Sequence, residues 1–140
     1  MTHKATIDNL NTLISQMNPL LGEDEYVFCS LTVTQRRALS ATPLFEFIES
    51  EGISVVITRE EAEQSGLKGE FLSRMITLQV YSSLQAVGFL AAITSRLAAA
   101  GISVQTVSAF HHDYLFVSSG RESDALGILH QISADGRNTA

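Results

Sequence analysis

The amino-acid sequence predicts an α+β fold, in which short strands and amphipathic helices follow one another along the chain. Residues 75–119 show strand-like alternation, then helical spacing, then alternation twice more around a short polar turn. The first half has a similar order of expected elements, and the tetrapeptide Gly-Ile-Ser-Val occurs both at residues 52–55 and at residues 101–104. We therefore expect two similar units, one over residues 1–70 and the other over residues 71–140.

The chain should begin with an amphipathic helix. Apolar residues recur at helical spacing over residues 6–18, with Thr6 as the N-cap and Pro19 as the residue that ends the helix. Residues 26–33 then alternate between two faces, which is typical of a strand. The polar stretch over residues 34–42 is expected to form a loop.

A β-hairpin is expected next. Residues 44–49 and 53–58 are strand-like and are separated by a short turn, in which Gly52 can adopt a positive φ. A short helix over residues 44–50 remains the alternative, because so few residues do not define a period. Residues 59–65 are predicted to form a short helix that a glycine ends.

The second half contains the clearest periodicity of the chain. Residues 75–82 alternate as a strand, and residues 84–100 have helical spacing with apolar residues on two sides. A helix that is apolar on two sides is buried more than a surface helix, so a second domain or a second subunit should cover the extra side. Two strands joined by a tight turn over residues 102–119 and a helix over residues 122–133 complete this half, followed by a tail that should fray.

The composition argues against several classes of partner. The formal net charge is −6 over 140 residues and no cluster of lysine and arginine is present, so nucleic acid is not expected as the main partner. The N-terminus lacks an apolar signal region and polar residues interrupt the most apolar stretch, so no membrane span is expected. The single cysteine, Cys29, lies in an apolar run and is expected to be a buried hydrophobic residue of a cytoplasmic protein.

The entry to the long helix is the first candidate site. Ser82 and Gln85 have the spacing of a capping box, and Ser83 could cap the helix instead. The first backbone amides of a helix lack internal partners, so they would favour a bound carboxylate or phosphate. Gly88 would allow a ligand or a neighbouring backbone to approach closely. Capping of the helix alone, with glycine for tight packing, explains the same residues.

The polar turn His111-His112-Asp113, between two apolar strands, is the second candidate site. Asp113 could accept hydrogen bonds from backbone amides of the turn, or from the ammonium group of a ligand. Metal binding is disfavoured, because adjacent residues of an extended chain point to opposite faces. Catalysis is disfavoured as well, because no nucleophile motif accompanies the His-Asp pair. We therefore expect no metal, no cofactor and no catalytic residue.

These segments resemble the ACT-domain family of small-molecule sensors, and most of all the small tandem-ACT proteins related to the CASTOR-type amino-acid sensors. Four stretches that together span most of the chain carry the resemblance, and the phrase SSLQAVG followed by AGIS and HHDYLFV is fairly specific to this subgroup. The four stretches are ITLQVYSSLQAVGFLAAI, LAAAGISVQTVSAFHHDYLFV, EGISVVITREEA, and MNPLL before EYVF.

The resemblance implies two ferredoxin-like βαββαβ units whose antiparallel sheets are backed by helices. It implies a non-catalytic regulatory protein that binds an amino acid or a similar small polar ligand at an interface between ACT units. Such units also pair with each other, so a homodimer or the regulation of a partner protein is expected. A ligand-free interaction module that oligomerises or regulates a partner is the alternative.

The resemblance also implies which residues hold the ligand. The helix entry from Ser82 to Gly88 would hold the ligand carboxylate and backbone, with Val87 and Gly88 offering backbone groups and close approach. Asp113 matches an acidic position at which related sensors contact their ligand. The expected ligand-binding residues are Ser82, Ser83, Val87, Gly88, His112 and Asp113.

Overall fold

A computed structural model describes Ile7 and residues 9–138 of the chain, with side chains up to Gly136. Within these residues the chain forms five helices and six strands. No helix among them is both long enough and apolar enough to cross a membrane. In chain order the elements are α1 (Leu10–Gln16), β1 (Pro19–Leu31), α2 (Val33–Ala38), β2 (Phe45–Ile48), β3 (Ile53–Thr58), α3 (Arg59–Gln64), β4 (Glu70–Leu78), α4 (Phe89–Ala99), β5 (Val104–Ser108), β6 (Asp113–Ser118) and α5 (Glu122–Asn138).

The chain divides into two compact units that are interleaved along the sequence. The first unit comprises Met1–Gly22 and Met75–Ala140, and the second comprises Glu23–Arg74. The chain therefore leaves one unit and enters the other within β1, and again within β4. These two units are defined by contacts in space. The division into residues 1–70 and 71–140 is instead based on the repeat in the sequence, and it stays a prediction.

The first unit contains a sheet in which the neighbouring strands are β1, β4, β6 and β5, in that order. β5 and β6 form an antiparallel hairpin, in which Val104 lies opposite Val117 and Ser108 lies opposite Asp113. The helices α1, α4 and α5 contact one another, and α4 and α5 also contact the hairpin. The buried core of this unit comprises Leu13, Met17, Ile76, Leu78, Val80, Phe89, Ile93, Leu97, Ile102, Leu115, Val117, Ala125, Leu129 and Ile132.

The second unit contains the neighbouring strands β2, β3, β1 and β4, in that order. β3 pairs in antiparallel fashion with both β1 and β2, and α3 contacts β3. From Val27 to Leu31 in β1, and at Val55 and Ile57 in β3, every second residue enters the core, as the alternation in the sequence predicts. The buried core comprises Val27, Cys29, Leu31, Val55, Ile57 and Ala62.

Both units have the ferredoxin-like topology. In the second unit the elements follow the order β1, α2, β2, β3, α3 and β4, which is βαββαβ. In the first unit the same order runs β4, α4, β5, β6 and α5, and the first part of β1 supplies the remaining strand. Numbered within its own unit, each set of strands has the order 4-1-3-2. The predicted α+β class, with ferredoxin-like antiparallel sheets backed by helices, is confirmed.

The N-terminal elements differ in extent from those predicted. α1 begins at Leu10 because Asn9 caps it, with Asn9 Oδ1 accepting a hydrogen bond from the backbone N–H of Thr12 at 3.0 Å. Thr6, the predicted cap, lies outside the described residues. β1 begins as early as Pro19 and includes an acidic, partly exposed segment that does not show apolar alternation.

The helix α2 forms where the polar sequence favours a loop. Thr32 and Gln35 explain it with a capping box: Thr32 Oγ1 accepts from the Gln35 N–H at 3.1 Å, and Gln35 Oε1 accepts from the Thr32 N–H at 2.9 Å. The predicted β2–β3 hairpin and the short helix α3 are confirmed. The alternative helix over residues 44–50 is wrong.

The helix α5 continues to Asn138, although the sequence predicts a frayed tail after residue 133. Packing against α1 explains the extension. The Ser133 hydroxyl donates a hydrogen bond to the backbone carbonyl of Ser15 at 3.1 Å. Gly136 lies so close to Ile14 that an added Cβ would be 2.7 Å from Ile14 Cγ2. The last turns of α5 are therefore held by tertiary contacts.

Candidate ligand-binding site

The candidate site is built around the loop between β4 and α4. The sequence predicts a strand up to residue 82 and a helix from residue 84, but β4 ends at Leu78 and α4 begins at Phe89. Both predicted limits are wrong. The polar residues that were expected to open a helix lie instead in a loop, whose own hydrogen bonds determine where each side chain lies.

Backbone hydrogen bonds fix this loop at Ser82. Ile7 forms a parallel bridge with Ser82, in which the Ile7 N–H donates to the Tyr81 carbonyl at 2.8 Å and the Ser83 N–H donates to the Ile7 carbonyl at 3.1 Å. The Ser82 N–H itself donates to the carbonyl of Val80 at 3.1 Å. The position of the Ser82 side chain is therefore set by backbone bonds on both sides.

The predicted capping box does not form. Ser83 Oγ accepts from the Gln85 N–H at 3.1 Å, and the Ala86 N–H donates to the Ser83 carbonyl at 3.0 Å, so this serine closes a turn instead of capping a helix. The N-cap of α4 is Gly88, whose φ of 89° is a left-handed conformation that glycine adopts without strain. Because glycine has no side chain, the N-cap residue of α4 makes no side-chain capping hydrogen bond.

The first turn of α4 consequently presents uncapped backbone amides. The Ala92 N–H donates to the Gly88 carbonyl at 2.9 Å, which is the first hydrogen bond of the helix. The three preceding amides, of Phe89, Leu90 and Ala91, have no acceptor one turn earlier in the helix. They carry the positive end of the helix dipole and favour an anionic group.

Asp113 lies at the start of β6 and is only 7% exposed. The hairpin sets its position, because Asp113 pairs with Ser108 and the Ala109 N–H donates to the His112 carbonyl at 3.0 Å. The Ser82 hydroxyl donates a hydrogen bond to Asp113 Oδ2 at 3.0 Å. The two polar segments that the sequence singles out are therefore joined by a direct hydrogen bond.

A cavity of about 180 Å³ has both the Ser82–Asp113 pair and the first turn of α4 in its lining. Four of the six predicted ligand-binding residues line it, namely Ser82, Ser83, Gly88 and Asp113. Among the described residues, Asp113 is the only ionisable one in the lining. The other lining residues are Leu84, Ala86, Phe89, Leu90, Ala91, Ser108 and Ala109.

The remaining two predicted residues, Val87 and His112, do not line this cavity. Val87 is 83% exposed. The ring of His112 lies against Tyr81, with ring centroids 4.7 Å apart, and 6.3 Å from the ring of Tyr114. Because His112 and Asp113 are adjacent in an extended chain, their side chains leave it in opposite directions. Burial of Asp113 in the cavity therefore turns His112 away from it.

Sequence reasoning missed most of the apolar lining. The hairpin register, which places Ser108 opposite Asp113, is a signal that could have found Ser108 and Ala109. The residues of the first turn, Phe89 to Ala91, become predictable only when Gly88 is identified as the N-cap. Apolar spacing does not identify it, because the loop before Gly88 continues the helical pattern.

The arrangement is suited to the recognition of a polar molecule. A buried carboxylate accepts hydrogen bonds, and the amides of a helix N-terminus donate them, so the cavity offers both kinds of partner. Among the described residues, no three His, Cys, Asp or Glu side chains lie close enough to hold a metal ion.

The corresponding helix of the second unit is arranged differently. α2 follows the first strand of its unit, as α4 does, but the Thr32–Gln35 capping box closes its N-terminus. β3, the counterpart of β6, begins at Ile53 and not at a carboxylate. The features that make the first unit a candidate for ligand binding are therefore absent from these two positions of the second unit.

Two family models match the sequence, and both describe the ACT domain. One matches residues 5–74 and the other matches residues 70–131. Among curated proteins, none matches the sequence significantly.

Several solved structures are similar to this chain. A Vibrio cholerae protein of unknown function, which has been called a possible transport protein, is 39% identical with a TM-score of 0.75, over 84% of this chain and 91% of that one. An Agrobacterium tumefaciens protein is 18% identical with a TM-score of 0.65, over 82% and 87% of the two chains. The ligand-free regulatory subunit of aspartate kinase from Thermus thermophilus is 10% identical with a TM-score of 0.63, over 82% and 97%. The last two similarities concern the fold alone.

Proposed function

Because the chain belongs to the ACT-domain family, we propose that it is a non-catalytic regulatory protein that binds an amino acid or a similar small polar ligand. One observation carries the proposal: the buried carboxylate of Asp113 and the uncapped first turn of α4 line the same cavity. A free amino acid carries an ammonium group and a carboxylate on one carbon, so it can use both at once.

Each group of the site has a role in the proposed complex. The amides of Phe89, Leu90 and Ala91 donate to the ligand carboxylate, with support from the helix dipole. Asp113 accepts from the ligand ammonium, and Ser83 adds a hydroxyl to the lining. Gly88 has no Cβ, so the backbone of the ligand can approach the start of the helix.

The size of the cavity supports a small ligand. Its volume of about 180 Å³ is below the roughly 300–1,000 Å³ of pockets that hold drug-sized molecules. A micromolar dissociation constant corresponds to about −8 kcal/mol. For a ligand of on the order of ten heavy atoms, this is roughly −0.8 kcal/mol per atom, within the ceiling of about −1.5 kcal/mol for very small ligands.

A melting screen with the standard amino acids tests the proposal. A ligand that binds only the folded protein stabilises it by about 2.7 kcal/mol at a hundredfold excess over Kd, so at least one amino acid should raise the Tm. Asp113→Ala should abolish this rise while leaving the fold intact. The control Asp124→Ala, which removes an exposed carboxylate of α5, should retain it.

Two outcomes of the screen would count against the proposal. An unchanged rise in Tm for Asp113→Ala would remove Asp113 from the site. No rise with any amino acid, in a wild-type protein that unfolds cooperatively, would contradict amino-acid binding itself.

A ligand-free interaction module is the second candidate function, and exposed apolar side chains favour it. Leu84, Val87 and Phe110 are 67%, 83% and 71% exposed. Leu84 belongs to the cavity lining, and the other two are adjacent in sequence to lining residues. Clustered apolar side chains on a surface mark interaction sites. Under this alternative, light scattering shows an oligomer that Val87→Ser and Phe110→Ser weaken, and no amino acid changes the Tm.

The proposal also covers the partners and the location of the protein. A sensor without catalytic residues acts through what it contacts, so we propose that it forms a homodimer or regulates a partner protein. A cytoplasmic location is also part of the proposal. The single cysteine, Cys29, is buried, and a chain without an internal disulfide suits a reducing compartment.

A further inference from the structure

The charge of the cavity lining restricts the ligand further. Asp113 is the only ionisable residue in the described part of the lining, and the one hydrogen bond that its carboxylate accepts from a described residue comes from the neutral Ser82 hydroxyl. A buried carboxylate without a cation is unfavourable, because the lost hydration is not replaced by an attractive charge. A ligand ammonium group would supply the cation that the described lining does not contain.

Ser82 determines which oxygen of Asp113 remains available. Its hydroxyl donates to Oδ2 at 3.0 Å, whereas Oδ1 accepts no hydrogen bond from the described residues. Both partners are fixed by the backbone, Ser82 through its bridge to Ile7 and Asp113 through its pairing with Ser108. A hydrogen bond to one carboxylate oxygen fixes the orientation of the other oxygen. A preorganised binding group requires such a fixed orientation.

We infer that the cavity selects amino acids whose side chain carries no negative charge, and that Ser82 is the positioning residue that orients Asp113 for this selection. The inference rests on the proposed function, since it names the ligand class of the same site. An acidic side chain would bring a second carboxylate beside Asp113, where the described part of the lining contains no lysine, arginine or histidine. Like charges placed together in this way should weaken binding by about tenfold or more.

Calorimetry with ligand pairs of equal size tests the charge selection. Aspartate is compared with asparagine, glutamate with glutamine, and both acids with the neutral amino acid that raises the Tm most. Each acid should bind at least about tenfold more weakly than the tightest neutral ligand. In Asp113→Asn the neutral ligand should bind more weakly and the difference between acid and amide should shrink. Acids that bind the wild-type protein as tightly as neutral ligands would overturn the inference.

Variants of Ser82 test the positioning role. Ser82→Ala should reduce the preference for the neutral ligand by about tenfold, because Asp113 is no longer held at Oδ2. Ser82→Thr keeps the hydroxyl and should restore the preference. Ser103→Ala, an exposed serine outside the cavity, serves as the control. An unchanged preference in Ser82→Ala would overturn the positioning role.

The failure of the inference can be told apart from the failure of the proposed function. Tight binding of acidic amino acids would overturn the charge selection and leave amino-acid binding in place. The absence of any amino-acid binding would overturn both.

Discussion

Cys29 illustrates how burial controls the chemistry of a single side chain. It lies on the inward face of β1, only 7% exposed, and burial raises the pKa of its thiol. Because the thiolate is the reactive form, both the smaller thiolate fraction and the restricted access slow its reactions. We predict that alkylation at pH 8 is on the order of a hundredfold slower in the native protein than in urea, as measured by mass spectrometry. Equal rates would mean that β1 opens readily in the native state.

The residues of the candidate site could be predicted individually, but their arrangement could not. Ser82 and Asp113 attract notice because they are polar residues at the ends of apolar stretches. Their hydrogen bond joins residues 31 positions apart, and it forms because β4 and β6 are neighbours in the sheet. No local pattern in the sequence determines that pairing. Val87 shows the same limit, because nothing in the sequence indicates which way a loop side chain points.

The limits of the elements were harder to predict than their existence. The β2–β3 hairpin is correct because alternation and turn residues agree there. The predicted start of α4 is wrong because Leu84 and Val87 continue the helical spacing through a loop. That loop ends at Gly88, which has a φ of 89°. The spacing of Thr32 and Gln35 is readable as a capping box, but the polar composition around them favoured a loop.

The helix α5 contains two glycines in opposite surroundings, which allows a matched test of its packing. Among the described residues, a Cβ at Gly127 would meet no atom within 4 Å apart from its chain neighbours and the backbone of its own helix, whereas at Gly136 it would lie 2.7 Å from Ile14 Cγ2. Alanine is favoured over glycine in a helix by about 1 kcal/mol, so Gly127→Ala should stabilise the protein by about that amount. Gly136→Ala must displace a stiff β-branched side chain and should destabilise it by about 1–3 kcal/mol.

Urea unfolding followed by circular dichroism measures both changes. Each variant is the control for the other, because both gain the same methyl group in the same helix. If both substitutions stabilised the protein equally, the close approach of α5 to α1 at Ile14 would be contradicted.

At the scale of the whole molecule, the division of the chain by its sequence repeat differs from its division by contacts in space. The sequence predicts two consecutive halves because similarity is compared along the chain. The contacts instead group Met1–Gly22 with Met75–Ala140, since β1 and β4 each contribute residues to both units. The acidic start of β1 gave no strand signal, so this exchange of strands could not be predicted from periodicity.

The two units share one topology, but the N-termini of α4 and α2 differ. This difference predicts how many ligands each chain binds. The entry to α4 is uncapped and shares a cavity with Asp113. The entry to α2 is closed by Thr32 and Gln35, and β3, the counterpart of β6, begins at Ile53. We therefore predict about one amino acid bound per chain, because sites with convergent polar groups are few in a protein. Isothermal titration calorimetry measures this ratio.

Two variants make the prediction of one ligand per chain specific to the first unit. Asp113→Asn should remove most of the binding heat, which would not happen if the second unit held an equivalent site. Thr32→Ala uncaps α2 and should cost about 1 kcal/mol of stability, yet the ratio should stay the same, because Ile53 provides no partner for an ammonium group. A ratio of two would contradict the difference between the units, and a ratio of one half would mean that two copies of the chain complete one site.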